Sequence, residues 1–494
     1  MAGLGFGLRL ALGLQQPLDA DEAVEGIGAI RVLHGQFLLM EPDGRYLGAL
    51  DCYVIAPFIA VLGPTLLAIR AATSLIGAAY VAAMYWLGRL ALGTRTGGLL
   101  AAGVATVFPL FTLLFGVRAR SYGMVLLLAA LVLALAVRVI WPERPPRRRD
   151  WALLGLVAGV ALWQHLLLAE PIGLALIALI LRRRPLGGLA VALPAGLVGF
   201  SPWLIYNAET RLGSLRHLYS PATAYTLPVG RAAHDVATAA LPIFTGGRVD
   251  FCGSEIVPWW VADVGLLALA GAVLWLRRGR FAAPELAFAV APVALLAVTL
   301  RWFNALACNP RYLMPFAIPL VLAVALLLDS KPPLRSITAA AAGLWLVVSG
   351  LTLNETLAGE RGLLFVSYRA VQLDTPAAAG AVAASHPEAI WADYWLARPI
   401  QYYGGDSFSV GEYGGYVGFR TTQQKAFLAQ HPSWLFASGD PVEQRFVAEC
   451  RSRGISYTRS EPAPNLVLYS DLSAPLTPDD LHLGGQSIRQ ADPP

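Results

Sequence analysis

Two adjacent acids, Asp21 and Glu22, lie in the first polar segment of a chain that is otherwise strongly apolar. They follow a short apolar N-terminus and open the amphipathic stretch 21–30. An ionised carboxylate beside a bilayer is costly unless it has a partner or a function. The pair therefore indicates the edge of an active site that faces a membrane-embedded substrate.

The composition shows what kind of protein must position these acids. Of the 494 residues, 56% are hydrophobic and only 14% are charged, which excludes an ordinary soluble protein. The four cysteines lack the spacing of a zinc site or of a redox CxxC motif. Cys252 and Cys308 both fall in segments predicted to lie outside the membrane, where either a disulfide or two free thiols would be consistent with the sequence.

Hydropathy predicts about eleven membrane helices, counting the short N-terminal one. The approximate limits of the others are 71–92, 97–116, 121–141, 151–167, 169–182, 186–206, 259–276, 283–300, 312–329 and 336–353. If each crosses once, basic clusters within 144–149, 182–184, 277–280 and 331–335 share one side. The positive-inside rule assigns that side to the cytoplasm. We therefore expect a plasma (inner) membrane protein whose Asp21 loop and C-terminal residues face the outer, periplasmic side.

Several arginines depart from this rule, because they lie on the predicted outer side. Arg118 and Arg120 join two predicted helices beside Tyr122, and Arg311 precedes Tyr312 at the start of another. Guanidinium groups can bind a phosphate through two hydrogen bonds. A lone arginine here would more simply extend to lipid headgroups, but this repeated pairing with tyrosine favours phosphate binding.

The composition changes near residue 355, so we predict two domains. Residues 1–354 would form a membrane module, in which the first outer loop, 17–63, forms two interfacial helices. Residues 355–494 would form an extracytoplasmic α/β domain, since predicted strands at 389–394, 434–437 and 465–469 alternate with helices. From Ser473 onward we expect a loosely ordered tail.

Several motifs, taken in their order along the chain, resemble the GT-C glycosyltransferases. Within that superfamily the similarity is to family 39, the protein O-mannosyltransferases and bacterial aminoarabinose transferases. The motifs are DEAV at 21–24, YLGALDCY at 46–53, ARSY at 119–122, His165, GFSPWLIYN at 199–207, PRYLMP at 310–315 and ADYWLA at 392–397. The resemblance implies a polytopic α-helical GT-C-like fold. It also implies an enzyme that transfers a hexose or pentose from a polyprenyl-phosphate carrier to an envelope acceptor, usually with inversion.

The resemblance implies roles for individual residues. Asp21 matches the family's first-loop acid and would be the general base, with Glu22 orienting it or helping to hold a metal ion. Asp51 stands where the family usually has Glu, as a second acid. Asp21 and Asp51 would also be the candidate ligands of a divalent metal ion. The donor phosphate would be bound by Arg118, Arg120, Tyr122, Arg311 and Tyr312, and His165 would line the substrate cavity.

The remaining partners would be membrane lipids, and we expect no nucleic acid. Asp21, Asp51 and Arg120 should line one cavity at the outer membrane boundary.

Simpler explanations remain open for several of these residues. Asp19 or Asp21 could cap a helix whose first turn carries Glu22. Gln164 and His165 could make an interhelical hydrogen bond, and Asp393 to Trp395 could be packing at a strand end. The alternative function is a multispan transporter or flippase of lipid-linked sugars. The absence of a repeat between the two halves, and the clustering of charge at one face, favour the enzyme.

Overall fold

The computed structural model describes residues 1–42, 47–141, 145–181, 186–218, 228–276, 308–360, 363–366, 369–413 and 419–483. The predicted span 283–300 and the basic clusters at 182–184 and 277–280 lie outside these residues. The chain forms two compact units. The first comprises Met1–Gly13, Tyr46–Gly48 and Arg70–Ala358, and the second comprises Leu14–Arg45, Ala49–Ile69 and Gly359–Pro494.

Long apolar helices dominate the first unit, and they match the hydropathy prediction. A helix covers each predicted span that falls on described residues. These helices are α1 (Ala2–Gly13), α4 (Leu66–Leu92), α5 (Arg95–Val107), α6 (Leu110–Gly116), α7 (Tyr122–Ile140), α8 (Arg148–Gln164), α9 (Ala169–Leu181), α10 (Leu189–Glu209), α14 (Trp259–Leu276), α15 (Ala317–Leu328, after a 3-10 turn at Arg311–Phe316) and α16 (Leu334–Glu360). Shorter helices lie between α10 and α14: α11 (Gly213–Leu218), α12 (Val229–Asp235) and α13 (Leu241–Thr245).

Not all of these helices are long enough to cross a bilayer alone. Within the described ranges, six are long and apolar enough, or seven if α5 and α6, which are bent by 64° at their junction, count as one span. Helices α1, α8 and α9 have 12, 17 and 13 residues. The predicted fold class is therefore confirmed, whereas the total of about eleven crossings stays a prediction.

Glycines allow two helices of the first unit to pack backbone against backbone. A Cβ atom on Gly155 of α8 would overlap the carbonyl oxygen of Ala192 in α10. One on Gly159 would overlap the carbonyl oxygen of Gly196. Apolar side chains gain little by leaving lipid, so helices in a membrane associate through such close contacts between small residues.

A disulfide bond joins Cys252 to Cys308 in the first unit, across 56 positions of sequence. Between these segments, the backbone N–H of Phe251 also donates to the carbonyl oxygen of Cys308, at 2.9 Å. Cys308 lies three residues before Arg311, so the bond holds the start of the Arg311–Phe316 turn against the loop that precedes α14. Of the two alternatives left open by the sequence, the disulfide is confirmed.

The second unit contains a five-stranded sheet in the order β4-β3-β5-β7-β6. Strand β3 is parallel to β4 and β5, while β7 is antiparallel to β5 and β6. The strands are β3 (Ala389–Asp393), β4 (Ser409–Tyr413), β5 (Ser433–Ala437), β6 (Thr458–Ala463) and β7 (Leu466–Ser470), and a separate hairpin pairs β1 (Leu363–Val366) with β2 (Arg369–Gln372). The helices are α17 (Thr375–Ala384), α18 (Tyr394–Tyr403), α19 (Arg420–Leu428) and α20 (Pro441–Arg453).

This sheet confirms the predicted C-terminal α/β fold, and adds β4 and β6 to the predicted strands. Of the tail predicted to be loosely ordered from Ser473 onward, residues 484–494 lie outside the described residues, and residues 473–483 pack instead on the sheet. Leu476 and Leu481 are buried beside Trp434, whose indole N–H donates to the carbonyl oxygen of Leu476 at 3.2 Å. Two apolar side chains in a polar segment are enough to anchor it, which composition alone does not show. The boundary near residue 355 stays a prediction.

Two helices of the first polar loop belong to the second unit, α2 (Ala20–Leu33) and α3 (Leu50–Leu62). A Cβ atom on Gly28 of α2 would lie 2.6 Å from Sγ of Cys52 in α3. On Gly26 it would lie 2.5 Å from the ring of Tyr402 in α18. Helix α2 is therefore held between α3 and the helix that follows β3. Its stripe of Val24, Ile27 and Ile30 is buried by protein, and the interfacial position of the two helices stays a prediction.

The disulfide can be checked by counting thiols. Protein purified without reductant and then unfolded should react with two equivalents of maleimide, at Cys52 and Cys450, which are the free cysteines. Prior reduction should raise the count to four, the number of cysteines in the chain. The Cys252→Ser variant should give three equivalents in oxidised protein, because Cys308 loses its partner. Four equivalents without reduction would contradict the pairing.

The packing of α2 on α3 can be checked with Gly28→Ala. The added methyl group meets Cys52 in a closed interface, so the free energy of unfolding should fall by about 1–3 kcal/mol. Adding Cys52→Ala should recover part of this loss, since it removes the sulfur that the methyl group contacts. Gly380→Ala is the matched control, because no other group lies within 4 Å of the place that its Cβ atom would take. Additive effects of Gly28→Ala and Cys52→Ala would contradict the contact.

Candidate functional site

The predicted catalytic acids lie at the start of α2, where a capping box orders the first turn. The N–H of Glu22 donates to Oδ1 of Asp19 at 3.1 Å, and the N–H of Asp19 donates to Oε2 of Glu22 at 3.3 Å. Asp19 is thus the N-cap, and Glu22 is buried. This explains Glu22 as a structural residue that fixes the turn carrying Asp21.

Asp21 itself is partly exposed and takes no part in the cap. Its Oδ1 accepts a hydrogen bond of 2.8 Å from the phenol of Tyr394. Tyr394 is the first residue of α18, and directly follows β3. The sheet therefore presents a hydrogen-bond donor to the acid that the sequence singles out as a base.

Asp51 lies in a second, fully buried acidic group near Cys52. The thiol of Cys52 donates to Oε2 of Glu25 at 3.1 Å. Burial raises the pKa of the Cys52 thiol well above its ordinary value, and the charges of Glu25, Glu41 and Asp51 raise it further. Cys52 is therefore an uncharged hydrogen-bond donor among carboxylates and not a reactive thiolate.

In the first unit, the turn 117–121 carries two of the predicted phosphate-binding arginines. The carbonyl oxygen of Val117 accepts from Nη1 of the buried Arg70 at 3.1 Å and from the hydroxyl of Thr73 at 2.8 Å. Ser121 has φ 62°, in the left-handed region that non-glycine residues rarely adopt. Such strained residues persist where the surrounding structure holds them, often at functional sites.

The arginines of this turn flank an aromatic ring. The guanidinium carbons of Arg118 and Arg120 each lie 5.6 Å from the centre of the Phe115 ring. The guanidinium carbon of Arg311 lies 5.8 Å from the centre of the Tyr312 ring. Aromatic faces attract cations, so the rings hold these side chains without neutralising their charge.

His165 and two tyrosines form an aromatic group in the first unit. The ring centre of Tyr122 lies 5.5 Å from that of His165 and 6.5 Å from that of Tyr312. Nδ1 of His165 accepts from the N–H of Leu167 at 3.0 Å, which leaves Nε2 as the protonated nitrogen of the neutral ring. The structure thus brings Tyr122, His165 and Tyr312 together from three separate segments.

Gln164 makes the interhelical hydrogen bond that the sequence suggested for this segment. Its Nε2 donates to Oγ of Ser121 at 2.9 Å, at the strained turn before α7. The backbone N–H of Gly48 also donates to the carbonyl oxygen of Gln164, at 2.9 Å. His165 instead caps the short turn that follows it.

The predicted residues thus form two groups, one in each compact unit. Asp21, Glu22 and Asp51 belong to the second unit, and all the predicted phosphate-binding residues belong to the first. The convergence of Asp21, Asp51 and Arg120 on one cavity stays a prediction. In the part of the chain that the structure describes, no group of three His, Cys, Asp or Glu side chains could hold a metal ion. Asp21 and Asp51 therefore do not fit a conventional three-ligand site.

The sequence analysis missed two contacts, that of Tyr394 with Asp21 and that of Arg70 with the turn 117–121. Tyr394 was interpreted as packing at a strand end, although Asp393 before it is a good N-cap residue and could have indicated a helix start. Arg70 lies one residue before the predicted span 71–92 and is not singled out by the sequence analysis. A single arginine at the edge of such a span is either a functional charge or a structural donor, and its contacts decide which.

Comparison with solved structures places this architecture among known folds. The chain is similar to ArnT from Cupriavidus metallidurans bound to undecaprenyl phosphate, with 14% identity, a TM-score of 0.61 and coverage of 96% of this chain and 98% of that one. Apo ArnT gives 13% identity and the same TM-score, with coverage of 94% and 95%. The mycobacterial arabinofuranosyltransferase AftD gives 16% identity and a TM-score of 0.56, covering 95% of this chain and 39% of AftD.

No protein-family model matches the chain, and no curated protein matches it either. At these identities, the solved structures establish the fold. The resemblance to family 39 within the superfamily stays a prediction. The chain shares the fold of these solved proteins, with long apolar helices and a small α/β domain.

Proposed function

We propose that the protein is an integral-membrane glycosyltransferase that moves a hexose or pentose from a polyprenyl-phosphate carrier to an envelope acceptor. The observation that carries this proposal is the match, over nearly the full length of both chains, to ArnT bound to undecaprenyl phosphate. AftD, another similar structure, is named as an arabinofuranosyltransferase. The transporter alternative has no comparable support.

We further propose that the reaction takes place on the outer face of the plasma membrane. The Cys252–Cys308 disulfide supports this side, because such bonds persist in oxidising compartments. Both cysteines lie in loops that the positive-inside rule places outside. The turn 118–121 and the Arg311 segment are assigned to the same side by the same rule.

In the proposed reaction, Asp21 accepts the proton of an acceptor hydroxyl while that oxygen attacks the anomeric carbon. The bond between this carbon and the carrier phosphate breaks, and its electron pair leaves on the phosphate. A single displacement of this kind inverts the anomeric centre. Arg118, Arg120 and Arg311 would stabilise the departing phosphate, while Tyr122, Tyr312 and His165 would line its surroundings.

The other acids have supporting roles in this proposal. Glu22 fixes the first turn of α2 through the capping box, and Asp51 adds negative charge to the buried group around Cys52. Because the described acids do not form a three-ligand set, the mechanism contains no step through a metal ion. Addition of EDTA to the reaction below would show whether turnover needs one.

The function can be tested with purified protein in detergent. No membrane separates two compartments there, so transport cannot account for the release of a product. Undecaprenyl phosphate carrying a hexose, a pentose or an aminopentose would be supplied with an envelope extract as acceptor. Release of free undecaprenyl phosphate is expected from at least one of these donors. Absence of release from all three would contradict the proposal.

Asp21→Asn should lower turnover by roughly 10²–10⁴-fold, because the amide keeps the size of the side chain but cannot accept the proton. Binding of undecaprenyl phosphate, measured by native mass spectrometry, should be unchanged. Asp374→Asn is the matched control: Asp374 caps α17, and asparagine caps a helix equally well. Full turnover of Asp21→Asn would end the assignment of the base.

Arg120→Ala should weaken binding of undecaprenyl phosphate by roughly 10- to 100-fold, since the phosphate loses a charged hydrogen-bond donor. The dissociation constant is measured by native mass spectrometry. Arg149→Ala serves as control, because that side chain is 64% exposed and lies on the predicted cytoplasmic side. Equal affinities of Arg120→Ala and wild type would remove Arg120 from the proposed phosphate site.

A further inference from the structure

One strong contact to the proposed base comes from outside the membrane helices, and the mechanism above does not use it. The phenol of Tyr394 donates to Oδ1 of Asp21, across 373 positions of sequence. We propose that Tyr394 is a positioning residue that holds the Asp21 carboxylate in its reactive orientation, and that the α/β domain thereby forms part of the catalytic apparatus. This inference rests on the proposed function.

The local structure fixes where the Tyr394 hydroxyl can point. Asp393, at the end of β3, caps α18 by accepting from the N–H of Trp395 at 3.0 Å. The ring of Trp395 then packs edge-on against that of Tyr394, with 5.3 Å between their centres. Tyr394 is buried, so its ring has little freedom to turn its hydroxyl away from Asp21.

Helix α18 also lies along α2 over its whole length. Tyr394 contacts Asp21 at the start of both helices. Tyr402 packs on Gly26 further along, and Asp406, just after α18, pairs with Arg31 at 3.0 Å near the end of α2. Three contacts in the same order along both helices mean that they run parallel, with their N-termini together at the carboxylate.

A buried polar network anchors the far end of this helix pair. Asp406 accepts from Gln401, and Gln401 accepts from Arg398, which is ion-paired with Glu412 of β4. Arg398 and Glu412 are both fully buried, and removing one partner of such a pair is strongly destabilising. The network therefore fixes α18 to the sheet while Arg31 fixes α2 to the network. Displacement of the end of α18 relative to α2 would therefore break contacts of this network.

The chemical consequence concerns the geometry of the proton transfer. A general base works only when its oxygen lies within hydrogen-bond distance of the proton that it removes. A carboxylate on a partly exposed side chain can rotate, and a phenol bound to Oδ1 restricts that rotation. Tyr394 should therefore contribute to the rate of the chemical step and little to binding of the carrier.

The test is Tyr394→Phe, which removes one hydroxyl and keeps the ring. The assay uses the sugar donor from which the protein releases undecaprenyl phosphate. We expect kcat to fall roughly 10-fold, because one hydrogen bond to a charged group is lost. KM for the donor should change less than about twofold. In the Asp21→Asn background the same substitution should have little further effect, because Tyr394 acts through Asp21.

Tyr402→Phe is the matched control. It removes a hydroxyl from the same helix, one that donates to the carbonyl oxygen of Thr65 at 2.9 Å and not to Asp21. Its kcat should equal that of the wild type. Thermal unfolding of all variants separates a loss of rate from a loss of fold.

Each alternative result has a distinct meaning. Wild-type kcat in Tyr394→Phe, with Asp21→Asn inactive, would overturn the positioning role and leave the proposed function intact. Equal losses from Tyr394→Phe in the wild-type and Asp21→Asn backgrounds would also overturn it, since the effect would then be independent of the base. Full activity of Asp21→Asn would instead refute the base assignment on which the inference rests.

Discussion

The close contact of α2 with α3 and α18 is the constraint on which the proposed catalytic acids depend. Gly26 and Gly28 have no side chain, and the ring of Tyr402 and the sulfur of Cys52 occupy the space that a Cβ atom would need. This closeness brings the start of α18 to Asp21, where Tyr394 can donate to it. A short helix in a polar loop would be marginal alone, so these neighbours determine its position.

The cationic group in the membrane helices depends on a comparable but separate arrangement. Arg70, buried in α4, donates to carbonyl oxygens of Gly13 and Val117, which ties α1 and the turn after α6 to one side chain. Gln164 then holds Ser121 at the end of that turn. In a low-dielectric region an unsatisfied carbonyl is costly. A buried arginine is therefore a stable way to fix a turn that presents two further arginines.

Much of this architecture could be predicted from the sequence, because hydropathy and strand patterns are local properties. The spans that fall on described residues coincide with helices, and β3, β5 and β7 lie where short apolar runs predicted strands. The pairing of Cys252 with Cys308 was one of two alternatives that their shared placement outside the membrane allowed. Tyr394 was harder to interpret, because the segment 392–397 continues an apolar strand. Asp393 within it is a suitable N-cap residue, and its capping geometry shows that a helix begins there. The order of residues 473–483 depends on Leu476 and Leu481, which are buried in the same cluster as Trp434, an arrangement that composition cannot show.

The central proposal is that this protein transfers a sugar to an envelope acceptor. The most direct test is mass spectrometry of envelope glycans and glycolipids from cells with and without the gene. The account predicts that one acceptor class loses a single hexose, pentose or aminosugar when the gene is absent, and regains it when the gene is restored. Envelope glycans and glycolipids of unchanged mass in both strains would contradict it.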